Sequence, residues 1–417
     1  MNNKSNSMWH WITAFMVLLM MFTCTLSSSG FSVMVNAVKV HMGLDGTQSS
    51  LIFSIKNLSA LCFIFLADKY YKKVGLRFGV FGGFLLGAIA MTTFMLAGKN
   101  LMMVYAAAVI LGATYAFCML LPMALIIQAW FKKSRAFAMS IGSAGTGINA
   151  MIVTPYLQSV INHEGPAAAF KLLIMIFLVV GVIFVIFTRS KPEDRGLEPY
   201  GGYDYAVSAS KKGSGILIDK KWTKWFIVCA GILGFVAGPT QQYFILHFNQ
   251  LGYNSMLVAK AYGIIGVMLI IFKLSFGTLS TKFNFGMVSC SFLAFYIVSC
   301  VFAAGSQFIV SPVMVYGACA CLGVAGAVTS LGYPNWIADT NPEDYTKCAK
   351  NATSAYQGVE VLGSFVPGLI LDLTGHYSGF YMLNAFLYLT VLVIVFTAYK
   401  SSAASQKEIA AEAPANA

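Results

Sequence analysis

The stretch LADKYYKKVGLR, residues 66–77, carries four basic residues and one acid between two apolar runs at about 48–67 and 78–97. Each run is long enough to cross a bilayer as a helix, for which roughly 20 apolar residues suffice. A short basic link between two such runs reads as a membrane hairpin whose turn faces the side where lysine and arginine collect. The whole chain agrees. Of its 417 residues 58% are hydrophobic and only 10% charged, and its mean hydropathy is +0.74. A soluble globule is about a quarter charged, so this is an integral membrane protein. The runs are far too long for barrel strands, which leaves helices as the spanning element.

Twelve segments qualify as spans, at about 10–38, 48–67, 78–97, 101–128, 136–157, 168–188, 225–248, 255–279, 286–304, 312–337, 352–371 and 379–399. The first is too long for a signal-peptide core and lacks a small-residue cleavage site, so it is expected to be retained. With both termini placed in the cytoplasm, the inner links hold 21 of the 27 basic residues. The flipped orientation puts most of that charge outside, against the positive-inside rule. The expected location is therefore the cell (plasma or inner) membrane, with both termini cytoplasmic. The net charge of +12 is a topology signal, and nucleic acid is excluded as a partner. Eight of the nine cysteines lie in apolar runs, with no CxxC pair or Cys/His cluster, so no disulfide framework, metal site or cofactor is expected.

The polar segment 189–224 divides the chain into two six-helix halves, 1–188 and 225–399. Its end, ILIDKKWTKWF, mixes tryptophan with lysine and reads as a short interfacial helix before the seventh span. Residues 400–417, rich in alanine and serine, are expected to be a disordered cytoplasmic tail.

The links repeat between the halves. After the second span stand Asp68, Lys69, Gly75 and Arg77; after the eighth, GTLSTKFNFG (277–286) supplies Gly277 and Lys282. After the fourth and tenth spans, Trp130 and Trp336 each precede a charged link. Two similar six-helix halves are the pattern of parallel-repeat transporters. At this level the sequence resembles the major facilitator superfamily over essentially its full length. That superfamily's link is G-x-L-x-D-R/K-x-G-R. The first copy here has Ile64 for the glycine and extra residues before Gly75; the second has Thr281 for the aspartate. Within the superfamily, WFKKSRAFAMSIGSAGTG (130–147), RSKPEDRGLEPYG (189–201) and GFSVMVNAVKVHMGLDGTQSSLIFSI (30–55) resemble the oxalate/formate antiporter and monocarboxylate transporter branch. The resemblance implies a small carboxylate as substrate and a cation in the eighth helix four residues before the link glycine, where Lys273 precedes Gly277. It puts Gln357 where oxalate-type members carry a lysine, a departure that argues against oxalate itself.

Three charges lie inside spans, where ionisable residues are expensive and usually functional. Lys273 is eight residues from Thr281, roughly 12 Å into the membrane at 1.5 Å per residue. Its alternative is a snorkelling lysine that reaches the headgroups. Lys56 interrupts LIFSIKNLSALCFIFLADK, and for it snorkelling and function weigh equally. Glu360 is ten residues from Lys350 and twelve from Asp372, too deep for a short acid to snorkel. Thr353, Gln357, Glu360 and Ser364 recur along one helical face, which suits a proton-titrating or counter-ion site as well as a structural ion pair. Two lysines against one glutamate leave one net positive charge, which a monocarboxylate neutralises.

The expected protein is a secondary active transporter of a small organic anion, monocarboxylate-like, coupled to a proton or exchanging a counter-anion within the lipid bilayer. Lys273, Lys56, Glu360, Gln357, Asn36, Tyr333 and Asn335 are the candidate substrate contacts, with Glu360 also coupling the proton. Asp68, Lys69, Gly75, Arg77, Arg135, Gly277 and Lys282 are the candidate gating links. The first rival is proton-coupled efflux of hydrophobic or cationic compounds with Glu360 as counter-ion. Two positive charges against one negative oppose it, as does the absence of the G-x-x-x-G-P signature from the fifth span. A sensor on a transporter fold is the second rival. No nucleophile–base or metal constellation supports an enzyme.

Overall fold

The computed structural model describes residues 7–201, 218–341 and 344–412. The middle of the linker and both chain ends lie outside the described residues. Among the described residues the architecture is helical, and the only strand-like pairing is a single parallel bridge between Phe131 and Tyr200.

The first span is α1 (Met8–Cys24) and α2 (Ser29–Met42), broken by a 3₁₀ turn at Thr25–Ser27. The hydroxyls of Thr25 and Ser27 bond back to the carbonyls of Met21 and Cys24, the local competition by which serine and threonine bend helices. The second and third spans are α3 (Gly46–Val74) and α4 (Leu76–Leu96). The fourth is α5 (Leu101–Cys118) and α6 (Leu120–Trp130). It breaks four residues before Pro122, whose ring clashes with the carbonyl of Cys118 in a straight helix. The fifth is α7 (Arg135–Ile148) and α8 (Thr154–Glu164), joined by a π turn at Asn149–Val153. The sixth is α9 (Pro166–Phe187). The second half runs through α10 (Trp222–Gln242) and α11 (Phe244–Gln250), α12 (Ser255–Lys282), α13 (Phe285–Gly305), α14 (Pro312–Ala325) and α15 (Ala327–Thr340), α16 (Tyr345–Thr374) and α17 (Ser378–Glu412).

Eleven helices among the described residues are long and apolar enough to cross a membrane. The twelfth expected span, α16, is not among them; it carries Lys347, Lys350, Gln357 and Glu360. It packs between α3 and α10, where protein rather than lipid surrounds much of its polar face. Two expectations change. Among the described residues before the seventh span there is no separate interfacial helix: Trp222–Trp225 form the first turn of a continuous α10. The tail beyond Lys400 stays helical to Glu412, because alanine, glutamate and lysine are strong helix formers and extend a helix already nucleated.

The packing repeats with the sequence. In the first half the second span packs on the fourth, the third on the fourth and sixth, and the first on the fifth and sixth. Adding six to each number gives the second half: eighth on tenth, ninth on tenth and twelfth, seventh on eleventh and twelfth. The halves meet through α3 against α16, and through α7, the π turn and α8 against α12, two contacts that the same pseudo-symmetry interchanges.

These contacts lie toward the end of the bundle opposite the chain termini. There Gly46 and Gly368 let the backbones of α3 and α16 touch; a Cβ on Gly368 would fall on the Gly46 carbonyl oxygen and the Ser50 hydroxyl. Gly147 and Gly266 do the same where the fifth and eighth spans cross near mid-membrane. Asp372 then accepts from the Gly46 N–H at 2.8 Å, the Thr47 N–H at 2.7 Å and the Thr47 hydroxyl. At the terminal end α6 and α15 make no substantial contact across the halves, and Thr353 and Ser354 of α16 are exposed. The structure is closed away from the termini and open toward them.

Candidate functional site

Glu360 sits on α16 beneath the closed end. A Cβ at Gly238 of α10 would come 2.5 Å from Glu360 Oε1, so the glycine is what gives the carboxylate its place. Across the interface Lys56, on α3, is 1% exposed. It does not snorkel. Its Nζ lies 3.4 Å from the Ser27 carbonyl oxygen, in the break of the first span, and 5.1 Å over the Tyr115 ring. Lys56 and Glu360 attract one another between the halves without closing into a direct ion pair. Tyr115 and Tyr356 stand in the field of the same carboxylate. Tyr356 stacks on Tyr333 with ring centroids 5.7 Å apart. Glu360, Gln357, Tyr356 and Tyr333 are all partly accessible, as the wall of a cleft requires.

Lys273 stands on a different wall. Gly266 and Ile270 of α12 meet Gly147 of the fifth span. Lys273 lies two helical turns beyond Gly266, on the same face and about 10 Å nearer the terminal end. There the side chain is partly accessible. Among the described residues no acidic side chain is paired with it. The cation near Glu360 is Lys56.

A polar layer closes the cleft on its far side. Asn57 Nδ2 donates to Ser364 Oγ at 2.7 Å, and Ser364 Oγ donates to Gln242 Oε1 at 3.2 Å. The Tyr243 hydroxyl donates to the Ser364 carbonyl oxygen at 2.6 Å, and Ser54 Oγ to that of Val361 at 3.3 Å. Asn57 and Ser54 belong to the first half, and the others to the second.

The structure does not bring every expected residue to this cleft. Asn36 lines a hollow at the closed end with His41, Gln158 and Ser255. The Asn335 side chain is spent on its own helix, donating to the Leu331 carbonyl oxygen at 2.6 Å. Among the link residues, Arg77 turns into its own half, with Nε donating to the Val185 carbonyl oxygen at 2.7 Å. Lys69, Arg135 and Lys282 are exposed, Gly75 joins α3 to α4 at a φ of 81°, and the Asp68 side chain and the surroundings of Gly277 lie outside what is described. Sequence reasoning passed over Tyr115, Tyr356, Gly238 and Asn57. For Asn57 the usable signal was its place beside Lys56 in a span.

The model of the Major Facilitator Superfamily matches residues 17–359. The chain belongs to this superfamily. It is a membrane transporter and not an enzyme. Among solved structures it is similar to the nucleoside transporter NupG, with a TM-score of 0.70 and 11% identity over 94% of this chain and 100% of that one. A point mutant of NupG gives a TM-score of 0.70 and 12% identity over 93% of this chain and 99% of that one. This likeness is one of fold. No curated protein matches the chain by sequence.

Proposed function

We propose that this transporter moves a small organic anion, monocarboxylate-like, by alternating access, with a proton or a counter-anion as the coupled species. The observation that carries the reading is the charge balance of the cleft. Glu360 is answered by Lys56, and Lys273 has no acidic partner among the described residues. An unpaired ammonium deep in a membrane is costly, and a carboxylate from the open side relieves that. Tyr115, Tyr333 and Tyr356 supply aromatic faces and hydroxyls for the rest of a small acid. On this reading both termini are cytoplasmic in the cell membrane, the basic links mark the inner face, and the conformation described is inward-open. Lys69, Arg135 and Lys282 then meet the opposite half only when that face closes.

The experiment is uptake of labelled lactate, pyruvate, formate and oxalate into proteoliposomes, with and without a pH gradient. A nucleoside belongs in the same panel because of the NupG likeness. Uptake of one acid that Lys273→Gln abolishes, in protein that still reconstitutes, supports the proposal. Uptake of no acid, or unchanged uptake by the variant, overturns it and moves efflux with Glu360 as counter-ion ahead.

A further inference from the structure

At the terminal face of the first half three arginines converge on the end of α9. Arg77 comes from the first turn of α4, Arg189 follows α9, and Arg195 closes the 3₁₀ turn Pro192–Arg195. Each is fixed by main-chain carbonyls that the helix end leaves free. Arg77 Nε donates to the Val185 oxygen, Arg189 to those of Val185, Ile186 and Thr188, and Arg195 to that of Phe187 at 2.9 Å. Arg195 also lies 3.6 Å over the Trp9 ring. The three guanidinium groups repel one another.

The acids nearby are few. Asp194 attracts Arg77 and accepts from the Lys191 N–H, Glu193 beside it is exposed and has interactions of its own, and the negative end of the α9 dipole adds about half a charge. Against these stand the three arginines and the exposed Lys191. A guanidinium carries five N–H donors. Among the described residues, the terminal nitrogens of Arg77 and one terminal nitrogen each of Arg189 and Arg195 have no acceptor. Immediately on the membrane side, Phe78, Ile186 and Phe187 are 52%, 55% and 40% exposed, on the two helices, α4 and α9, that pack together.

We infer that this cluster binds the phosphate of an anionic phospholipid from the leaflet on the terminal side, with its acyl chains along α4 and α9. The arginines stand at headgroup depth and the exposed apolar side chains at chain depth on the same two helices. Planar forks match phosphate oxygens in pairs, and basic pockets between spans on this side of a membrane are suited to such headgroups. The bound lipid relieves the repulsion among three charges that the helix end has already fixed in place. It thereby ties the third and sixth spans of the first half to the bilayer while the second half moves.

The test is native mass spectrometry of the purified full chain titrated with dioleoyl phosphatidylglycerol or dioleoyl phosphatidylcholine, with inorganic phosphate as competitor. The expected result is preferential retention of one phosphatidylglycerol that excess phosphate does not displace. In Arg189→Gln/Arg195→Gln its apparent affinity falls about tenfold to thirtyfold, the attraction of two arginines to anionic lipid. Arg189→Lys keeps the charge but not the fork, so an intermediate loss is expected even if the double variant fails to fold. Equal retention of the two lipids, unchanged retention in the folded variants, or displacement by inorganic phosphate overturns the inference.

Discussion

Replacing Asp372 by alanine should open the closed end of the transporter without unfolding it. The first turn of a helix leaves its N–H groups without partners, and α3 shares this burden between two carboxylates. Its own cap, Asp45, takes the Gln48 N–H at 2.6 Å. Asp372, from the opposite half, takes the Gly46 and Thr47 N–H groups at 2.8 and 2.7 Å, together with the Thr47 hydroxyl. Lys39 stands near both acids and donates to the Tyr377 hydroxyl at 3.2 Å. Loss of a capping side chain costs about 0.5–2 kcal/mol. Asp372 is exposed, so solvent screening keeps the electrostatic part small, and about 1–2 kcal/mol is the reasoned total.

Because the cap is supplied across the halves, this loss falls on the closed conformation and not on α3 itself. A shift of that size changes a two-state ratio by a factor of about 5–30. Hydrogen–deuterium exchange in proteoliposomes reads it. Amides in 46–50 and 366–374 should exchange faster by about that factor, with α4 and α9 unchanged. Asp45→Ala is the control, since it frays the start of α3 without touching the other half. Unchanged exchange at 46–50, or a rise spread evenly through α4 and α9, would refute the assignment of Asp372 to the gate.

Gly368→Ala should act at the same seam by steric means. Its methyl falls on the backbone of α3, and overpacking of this kind costs about 1–3 kcal/mol, so the same exchange measurement should show the closed end loosened, more strongly than with Asp372→Ala. Gly238→Ala should displace the Glu360 carboxylate, which lies 2.5 Å from the new Cβ; transport should fall while thermal stability changes little, because the displaced group is the end of a flexible side chain. Glu360→Gln should remove the dependence of transport on a pH gradient and leave exchange down the substrate gradient measurable. Retention of the wild-type pH profile by that variant excludes Glu360 as the proton-coupling group.

Much of the fold was legible because its signals are additive. Hydropathy averages over some twenty residues, and the lysine and arginine count is a sum over links, so no single residue misleads either. The site was legible in part, for a different reason. Glu360 and Lys56 stood out because a charge in an apolar run has few explanations. What the sequence could not show is which half each charge faces. Lys56 and Glu360 are 304 positions apart, and only the packing of α3 on α16 makes them neighbours. Asn36 and Asn335 illustrate the converse. A polar residue in a span has many ways to be satisfied, and theirs are a hollow at the closed end and a bond within one helix. Arg77 matches the family link by type, yet its nearest acceptor is the carbonyl end of α9, a partner no motif encodes.

The placement of the Lys56–Glu360 pair suggests how charge and conformation are joined, given the proposed substrate. Asn57 follows Lys56 directly, and Ser364 lies one turn from Glu360; Asn57 and Ser364 hydrogen-bond across the halves at 2.7 Å. The ions therefore stand on the same two helices, within a turn of the bond that holds the closed end. On the proposed reading, a substrate carboxylate entering from the open side competes with Glu360 for Lys56, and a proton on Glu360 releases Lys56 to it. Either event weakens the attraction between α3 and α16 at the point where their closure is decided. A ligand moves such an equilibrium only through its different affinity for the two states. On the proposed reading the anion gains that difference by bridging Lys273 on α12 to Lys56 on α3, because the two lysines belong to opposite halves and alternating access moves one half against the other.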